Sequence, residues 1–302
     1  KMKSKNIWDY FFSKNHILPS PIANKVGLPV IRTFVSDILI KLRRLKYCRP
    51  KNDYEKQLVD DGIVVIPNFL PTQDFIKLKK EFNQVFSESQ KIEVIEKGSG
   101  KVETLTVTTE DSKNFPMLEN FSKNKELIRL VSVGEGIYPV EQIKKLNLEN
   151  STFGDPKGDA DENVKFHCDV HFDSHKILYY ISDVTEEDAP FIYCKKSHKN
   201  NFQRMWYEFK RGQLKDSYKN SYRIENHLDK KFFANYFKKI KQNQYKVISP
   251  ENTLIIANVH GFHKRGEALK DKKRSIIRIP YRYNPLGPSK SIPPDLYNGK
   301  LI

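Results

Sequence analysis

Cysteine is scarce in this chain, and the few cysteines lie far apart. There are three, Cys48, Cys168 and Cys194, with no Cys-x-x-Cys pair, so a disulfide framework is not expected and a reducing compartment is favoured. Apolar runs long enough to span a bilayer are also missing, and the polar start shows no secretory cleavage pattern. Together these absences predict a cytoplasmic protein.

Negative charge is under-represented. The 302 residues include 53 Lys and Arg against 37 Asp and Glu, which gives a formal net charge of +16. With 38% hydrophobic and 30% charged residues, the composition is typical of a chain that buries a core, as one large domain or two small ones. The positive excess favours an anionic partner, although the scattered lysines also fit an ordinary solvated surface. No nucleic-acid reader motif is recognisable, so DNA and RNA are not the expected partners.

The first fifty residues differ from the rest, and we interpret residues 1–50 as a basic amphipathic extension. Their apolar positions follow helical spacing and form one stripe, consisting of Val30, Ile31, Phe34, Val35, Ile38, Leu39, Leu42 and Leu45. A basic amphipathic helix can lie in a membrane interface, so residues 29–46 are a candidate for peripheral membrane contact. The alternative is a helix packed on the domain or on a second subunit.

Residues 51–302 are predicted to form one domain in which short strands dominate the second half. A helix ending at Gly62, a strand and a second helix are predicted over residues 54–90, and a hairpin follows with its turn at 98–100. Further strands are predicted at 141–148, 176–184, 190–196, 253–257 and 274–282. This pattern predicts an α+β fold with a β-rich core and flanking helices. The basic, aromatic residues 200–247 form an insertion that is either a lid over a site or an ordinary packed segment.

The segment "KFHCDVHFDSHK", residues 165–176, contains two overlapping His-x-Asp patterns. Residues two apart on an extended strand project to one side, so one row of ligands could contain His167, Asp169, His171, Asp173 and His175. One metal ion cannot bind all five. A two-histidine, one-carboxylate site for Fe(II) also needs a ligand from elsewhere in the chain. Both His260 and His263, after the strand at 253–257, are candidates for it.

Several stretches, in the right order, resemble the phytanoyl-CoA dioxygenase-like family of Fe(II)/2-oxoglutarate oxygenases. "VDDGIVVIPNFLPTQDF" (59–75) is similar to the opening helix–strand–helix of that family. "FHCDVHFDSHKILYYISDV" (166–184) is similar to its metal motif and the lysine that opens the next strand. "APFIYCKKSHK" (189–199) is similar to its "GPF-x-YVPGSHK" turn, with alanine where the family has glycine. "NVHGFHKRG", followed by Arg274, is similar to its distal histidine and downstream arginine.

The resemblance covers roughly residues 54–285 and implies a double-stranded β-helix (jelly-roll, cupin-like) core. It also implies that His167, Asp169 and His263 bind catalytic Fe(II), with 2-oxoglutarate and O2 as co-substrates. His171 and Asp173 become second-choice ligands or substrate contacts.

The resemblance further implies how the co-substrate is held. Arg274 offers a bidentate fork to the far carboxylate of 2-oxoglutarate, and Arg278 on the same strand face is the fallback. Lys176 and Tyr180 are weaker candidates for contact with the co-substrate. By the same resemblance Cys168 is not a ligand, and its side chain is expected to point away from the metal, while His175 and His198 are structural.

The family does not fix the substrate. Positive charge and the basic N-terminal helix suit an anionic, membrane-associated substrate, and the Kdo 3-hydroxylase branch of the family makes the Kdo sugar of lipid A one candidate. Hydroxylation of a free amino acid, or of an acyl-CoA or carrier-bound group, is the alternative enzyme activity. A non-catalytic cupin-like module that binds a sugar or a partner is the alternative of a different class.

Overall fold

The structure is a computed structural model that describes residues 7–13, 18, 20–89, 91–97, 100–138, 142–154, 162–214, 223–280 and 284–286. Within these ranges no helix is both long enough and apolar enough to cross a membrane. The helices are α1 (Ile7–Phe11), α2 (Pro21–Lys25), α3 (Leu28–Tyr47), α4 (Asp53–Asp61), α5 (Thr72–Glu88), α6 (Thr109–Ser112), α7 (Pro116–Ser122), α8 (Lys125–Glu135), α9 (Phe202–Gly212) and α10 (Lys231–Lys241).

The strands form two antiparallel sheets. They are β1 (Ile63–Ile66), β2 (Glu93–Lys97), β3 (Gly100–Thr108), β4 (Lys145–Thr152), β5 (His175–Tyr180), β6 (Phe191–Cys194), β7 (Gln244–Val247), β8 (Thr253–Asn258), β9 (His263–Arg265) and β10 (Lys273–Pro280). The larger sheet has the order β1-β8-β5-β10-β4-β3-β2, and the smaller has the order β7-β6-β9. The predicted α+β fold with a double-stranded β-helix core is confirmed. The predicted hairpin is formed by β2 and β3, but its turn residues 98 and 99 lie outside the described residues.

Alternating side chains of the central strands divide the core in two. On β5, Ile177 and Tyr179 face the helices α5, α7 and α8, in a cluster with Phe75, Leu78, Phe121 and Leu127. Leu178 and Tyr180 face the opposite way and pack with Phe191 and Tyr193 of the smaller sheet. Because the side-chain period of a strand is two, Lys176 lies on the same side as Leu178, between the sheets.

Capping residues fix the start of the domain. The side chain of Asn52 accepts a hydrogen bond from the Glu55 backbone N–H at 2.9 Å and so begins α4. Gly62 ends the helix in the left-handed region, with a φ of 78°, and the chain turns directly into β1. The predicted end of this helix at Gly62 is therefore confirmed.

The helix α3 packs on the domain through its polar face. It lies against α8 and α9, and the buried residues of this face are Arg32, Thr33 and Ser36 with the apolar Leu28, Pro29 and Ile40. The apolar stripe predicted from the sequence points away from the domain, and most of its members are exposed. Packing on the domain therefore occurs, but by the face opposite to the stripe. The assignment of residues 1–50 as a separate extension stays a prediction.

The basic, aromatic insertion packs against the outside of the smaller sheet. Tyr207 of α9 and Phe233 and Tyr236 of α10 form one buried cluster with Phe166, Ile192 and Phe262. None of the insertion's described residues, 200–214 and 223–247, lines the cavity described below. For the described residues of the insertion, this arrangement is that of a packed segment and not of a lid. Residues 215–222 of the insertion lie outside the described part.

Candidate metal centre

Two histidines face each other across a short antiparallel pairing. His263 is the first residue of β9, and His167 lies opposite it in the segment before β5. Their backbones exchange two hydrogen bonds, each of 3.0 Å. Directly opposed residues of an antiparallel pair project to the same side, so the two rings lie together with centroids 4.5 Å apart. The backbone N–H of Asp169 donates to Val259 at 2.9 Å and brings a carboxylate to the same place.

These three side chains form a compact donor set. The Asp169 Oδ1 atom lies 3.5 Å from Nε2 of His167 and 3.5 Å from Nε2 of His263. One donor atom from each residue lies within 4.8 Å of the others. The two imidazoles are buried. Their spacing leaves room for one ion that contacts all three.

The backbone fixes which nitrogen of each imidazole is available. The Nδ1 atom of His167 lies 2.8 Å from the Lys165 carbonyl oxygen, and Nδ1 of His263 lies 3.0 Å from that of Gly261. Since a carbonyl only accepts, each Nδ1 carries the hydrogen and each Nε2 keeps its lone pair. Metal-binding histidines are oriented in this way by their other ring nitrogen.

The protonation states also suit a cation. Burial, with the nearby His263, lowers the pKa of His167 from 6.5 to about 3, so the imidazole is neutral at physiological pH. Burial alone would raise the pKa of Asp169, but Lys176 and His263 outweigh it and hold that pKa well below its usual range. The site therefore presents a neutral imidazole and an ionised carboxylate together.

The second His-x-Asp is not in this site, because residues 165–174 do not form a strand. The single row of five ligands expected from an extended strand is therefore wrong. The Asp173 carboxylate accepts from the Asn258 side chain at 2.7 Å and pairs with Arg44 of α3 at 3.4 Å. Nδ1 of His171 lies 3.4 Å from the Arg32 guanidinium, also of α3.

Three further histidines, His175, His260 and His198, have hydrogen-bond partners of their own. His175 donates to Glu135 from its backbone at 2.6 Å and from its ring at 2.9 Å. His260, the other candidate for the distal ligand, lies 3.1 Å from the Val170 carbonyl and 2.9 Å from the Asn200 side chain. Nε2 of His198 lies 3.1 Å from the Val59 carbonyl.

Cys168 lies between the two grouped residues in sequence, but its side chain points elsewhere. Its sulfur is 3.5 Å from the Arg204 guanidinium, in the buried cluster under α9. This contact separates its side chain from those of its neighbours His167 and Asp169. The expectation that it faces away from them agrees with this placement.

A cavity of 320 Å³ opens next to the donor set. Its wall carries the cations Lys176, Lys264, Arg265, Arg274 and Arg278, together with Glu149. Apolar side chains complete it, including Leu178, Phe191 and Ile276. At one end the Lys176 ammonium lies 3.2 Å from Asp169 Oδ2 and 3.4 Å from His263 Nε2. The cavity is thus strongly positive and adjoins the donor set directly.

The two arginines of β10 have different surroundings. Arg274 donates to the Ala189 carbonyl and lies over the Phe153 ring, 5.4 Å from its centroid. Burial lowers the pKa of Arg274. Arg278 forms an ion pair with Glu149, so a carboxylate already holds its charge. Arg274 is therefore better prepared than Arg278 to receive an external anion.

Tyr180, a predicted co-substrate contact, is not among the described residues that line the cavity. It is fully buried between the sheets, and its hydroxyl accepts from the Phe191 backbone N–H at 3.5 Å. Phe191 in turn packs on the His263 ring, with centroids 5.6 Å apart. Tyr180 therefore supports a cavity wall and does not face the cavity.

Sequence reasoning missed three charged residues of the cavity, Lys264, Arg265 and Glu149. Arg265 lies two residues after His263 on β9 and so projects to the same side, which the strand period could have indicated. Glu149 on β4 pairs with β10 at Ile276. That neighbour relation between distant strands has no local signal in the sequence.

Comparisons with solved structures find similar folds. SnoK, a non-heme alpha ketoglutarate dependent carbocyclase from nogalamycin biosynthesis, has a TM-score of 0.49 and 13% identity, over 77% of this chain and 84% of that chain. EctD from S. alaskensis with bound Fe has a TM-score of 0.49 and 11% identity, over 78% and 79%. HygX from Streptomyces hygroscopicus with nickel and 2-oxoglutarate bound has a TM-score of 0.45 and 16% identity, over 80% and 88%.

No protein-family model and no curated protein matches the chain. At such low identities the structural likeness concerns the fold alone. Membership of the phytanoyl-CoA dioxygenase-like family, and of its Kdo branch, therefore stays a prediction.

Proposed function

We propose that this protein is an Fe(II)/2-oxoglutarate-dependent dioxygenase that hydroxylates an anionic substrate. The observation that carries the proposal is the position of the donor set formed by His167, Asp169 and His263. It lies at the end of a cavity whose wall carries Arg274. Binding of a metal ion together with a dicarboxylate co-substrate requires a set of metal ligands and a cationic side chain beside one another.

The chemistry of the donor set fits iron. Two imidazole nitrogens and one carboxylate are the ligands of non-haem Fe(II) oxygenase sites, which leave further coordination positions open. When bound, Fe(II) would supply, with 2-oxoglutarate and O2, the oxidising chemistry of the reaction. The residues His167, Asp169 and His263 would hold it. Lys176 would withdraw its ammonium from His263, because a metal ion and an ammonium repel each other at that distance.

Arg274 is assigned to the far carboxylate of 2-oxoglutarate. Its guanidinium is partly buried on the cavity wall, where a bidentate contact to a carboxylate is strengthened because less water competes than at an open surface. Contact with a carboxylate would also offset the desolvation that burial imposes on the arginine. Arg278 takes the lesser role, since Glu149 is already its partner.

The charge of the cavity supports an anionic substrate. After Arg274 binds the co-substrate, Lys264 and Arg265 still contribute positive charge to the wall. The volume of 320 Å³ is near the lower end of ligand cavities, roughly 300–1,000 Å³. It suits 2-oxoglutarate and the reacting end of a substrate, not a whole glycolipid. The acidic Kdo sugar of lipid A is the first candidate, and a free amino acid or an acyl-CoA is the alternative.

The experiment is anaerobic addition of Fe(II) and then 2-oxoglutarate to metal-free protein, followed by O2. A visible charge-transfer band that needs both additions, and succinate formation after O2, are expected. His167→Ala should lose both signals. The matched control is His171→Ala, which removes the histidine of the other His-x-Asp and should retain the band.

Products are then analysed by mass after incubation with Kdo-lipid A, amino acids and acyl-CoAs in separate reactions. Gain of one oxygen atom identifies hydroxylation and its substrate. A product of unchanged mass would indicate that the reaction is isomerisation and not hydroxylation. Native protein without band or succinate would refute the oxygenase and favour a non-catalytic cupin-like module.

A further inference from the structure

The helix α3 exposes its apolar face to solvent. Five side chains that follow one another at helical spacing are each 40–57% exposed: Ile31, Phe34, Ile38, Leu42 and Leu45. A helix on a soluble domain ordinarily buries such a stripe. Contiguous exposed apolar surface of this kind marks an interaction site more often than an ordinary surface.

The orientation of α3 is fixed by its polar face. Arg32 is fully buried and donates to the Phe11 carbonyl at 2.9 Å. Near the other end Arg44 donates to the carbonyls of Val133 at 2.7 Å and Gly134 at 2.8 Å. Rotating the helix to bury its stripe would leave these guanidiniums without partners, at a cost that apolar burial would not readily offset.

Exposed aromatic side chains of α9 lie near the beginning of α3. Phe202 and Trp206 stack with centroids 6.5 Å apart, and Trp206 and Phe209 stack at 5.4 Å. Phe202 is 82% exposed. A Cβ added at Gly27, the residue that caps α3, would lie 3.7 Å from the Phe209 ring. The aromatic stack therefore begins close to the N-terminal end of α3, and we call the stack and the α3 stripe together the apolar surface.

Basic residues lie along the edges of the apolar surface. At 3.6 residues per turn, Lys41 and Lys46 fall on opposite flanks of the stripe, and both are exposed. The ammonium of Lys210 lies 4.9 Å from the centre of the Trp206 ring. Long basic side chains beside an apolar stripe, with an exposed tryptophan, are typical of helices that lie in a membrane interface.

We propose that the apolar surface docks on an anionic lipid bilayer, with α3 and the exposed aromatic residues of α9 entering the headgroup region. The flanking lysines and the net charge of +16 complement acidic headgroups. A second copy of this chain is a poorer occupant, because a two-fold contact would set one basic rim against an identical basic rim. The proposal does not rest on the oxygenase activity.

The test is co-sedimentation of the full chain with phosphatidylcholine vesicles, with and without about one third phosphatidylglycerol. Binding is expected mainly to the anionic vesicles. Ile38→Glu, at the centre of the stripe, should weaken it about tenfold or more. The matched control is Ile76→Glu, on α5, which changes a somewhat more exposed isoleucine (54%, against 40% for Ile38) outside the apolar surface and should bind like the native chain. Melting temperatures of both variants report whether they fold.

Failure of the native chain to bind anionic vesicles would overturn the proposal. Equal loss in Ile38→Glu and Ile76→Glu would also overturn it, since the effect would then follow added charge and not position. Sedimentation velocity tests whether a second copy of the chain covers the apolar surface instead of a bilayer. A dimer that dissociates in Ile38→Glu, without vesicle binding, would assign the surface to a second copy. None of these readouts requires iron or 2-oxoglutarate, so the failure of one proposal leaves the other intact.

Discussion

The two aspartates of the His-rich segment should have opposite effects when each is replaced by alanine. Asp173→Ala should destabilise the fold and spare the metal centre. Asp169→Ala should abolish metal binding and destabilise the fold far less. Its removal also removes the cost of burying a carboxylate, and its main partner, Lys176, can turn toward the cavity. The two positions differ by four residues and share the same local motif, so each variant is the control for the other.

The loss of folding stability expected for Asp173→Ala follows from the contacts of the Asp173 carboxylate. It is buried, accepts from Asn258 at 2.7 Å and pairs with Arg44 at 3.4 Å. Burial raises its pKa, but Arg44 and the other partners outweigh burial and lower the pKa from 3.8 to about 2. A difference of this size corresponds to about 2 kcal/mol of folding stability at neutral pH. Breaking a buried pair costs about 3 kcal/mol or more, since the other charge is left unpaired.

The assay combines denaturant unfolding with metal titration. Asp173→Ala should lower the free energy of unfolding by about 3 kcal/mol, and the melting temperature by about 5 °C or more. The native stability from Asp173 is present above its unfolded pKa and is lost as pH falls from about 4 towards 2. The variant should lack that part of the acid transition. Stable Asp173→Ala protein without metal binding would refute the reasoning and move the metal to the second His-x-Asp.

Three further variants have defined outcomes. Arg274→Ala should raise the calorimetric Kd for 2-oxoglutarate in the metal-loaded protein by about 30-fold or more, and Arg278→Ala much less; equal effects would contradict the assignment. Lys176→Met should tighten metal binding in an anaerobic titration, since an ammonium is removed from beside Asp169, and unchanged affinity would argue against that competition. Gly62→Ala should lower the free energy of unfolding in urea by about 2 kcal/mol, because the new Cβ collides with His198 and Tyr193 at a positive φ. Gly212→Ala, whose new Cβ would make only ordinary van der Waals contacts, should change it little.

Much of the fold is local in origin and was predictable. The strand at 63–66 and the helices on either side of it follow from the spacing of their apolar residues. An asparagine cap begins the first helix and Gly62 ends it. The alternation of β10 places Arg274 and Arg278 on one face, as the sequence predicts. The grouping of His167, Asp169 and His263 also agrees with the ligand set implied by family resemblance, although its binding of iron stays a prediction.

The rest depends on contacts between distant parts of the chain. Periodicity correctly predicts the stripe of α3 but not the side on which it packs, because that choice depends on acceptors supplied by Val133 and Gly134. The His-rich segment has strand-like spacing, yet residues 165–174 bend where they pair with the loop after β8. Cavity residues such as Glu149 become neighbours only through the order of the strands.

The helix α3, outside the region of family resemblance, supplies the contacts that distinguish the two His-x-Asp pairs. Asp173 and His171 are each within 3.4 Å of an arginine of α3, and a carboxylate already neutralised by a fixed guanidinium is a poor ligand for a metal ion. Asp169 faces a lysine whose flexible chain can withdraw, and two imidazoles whose free nitrogens point towards it. The arginines that hold α3 with its apolar face outward are thus the same ones that occupy the second pair. For that reason the orientation of α3 and the location of the candidate metal centre depend on one set of contacts.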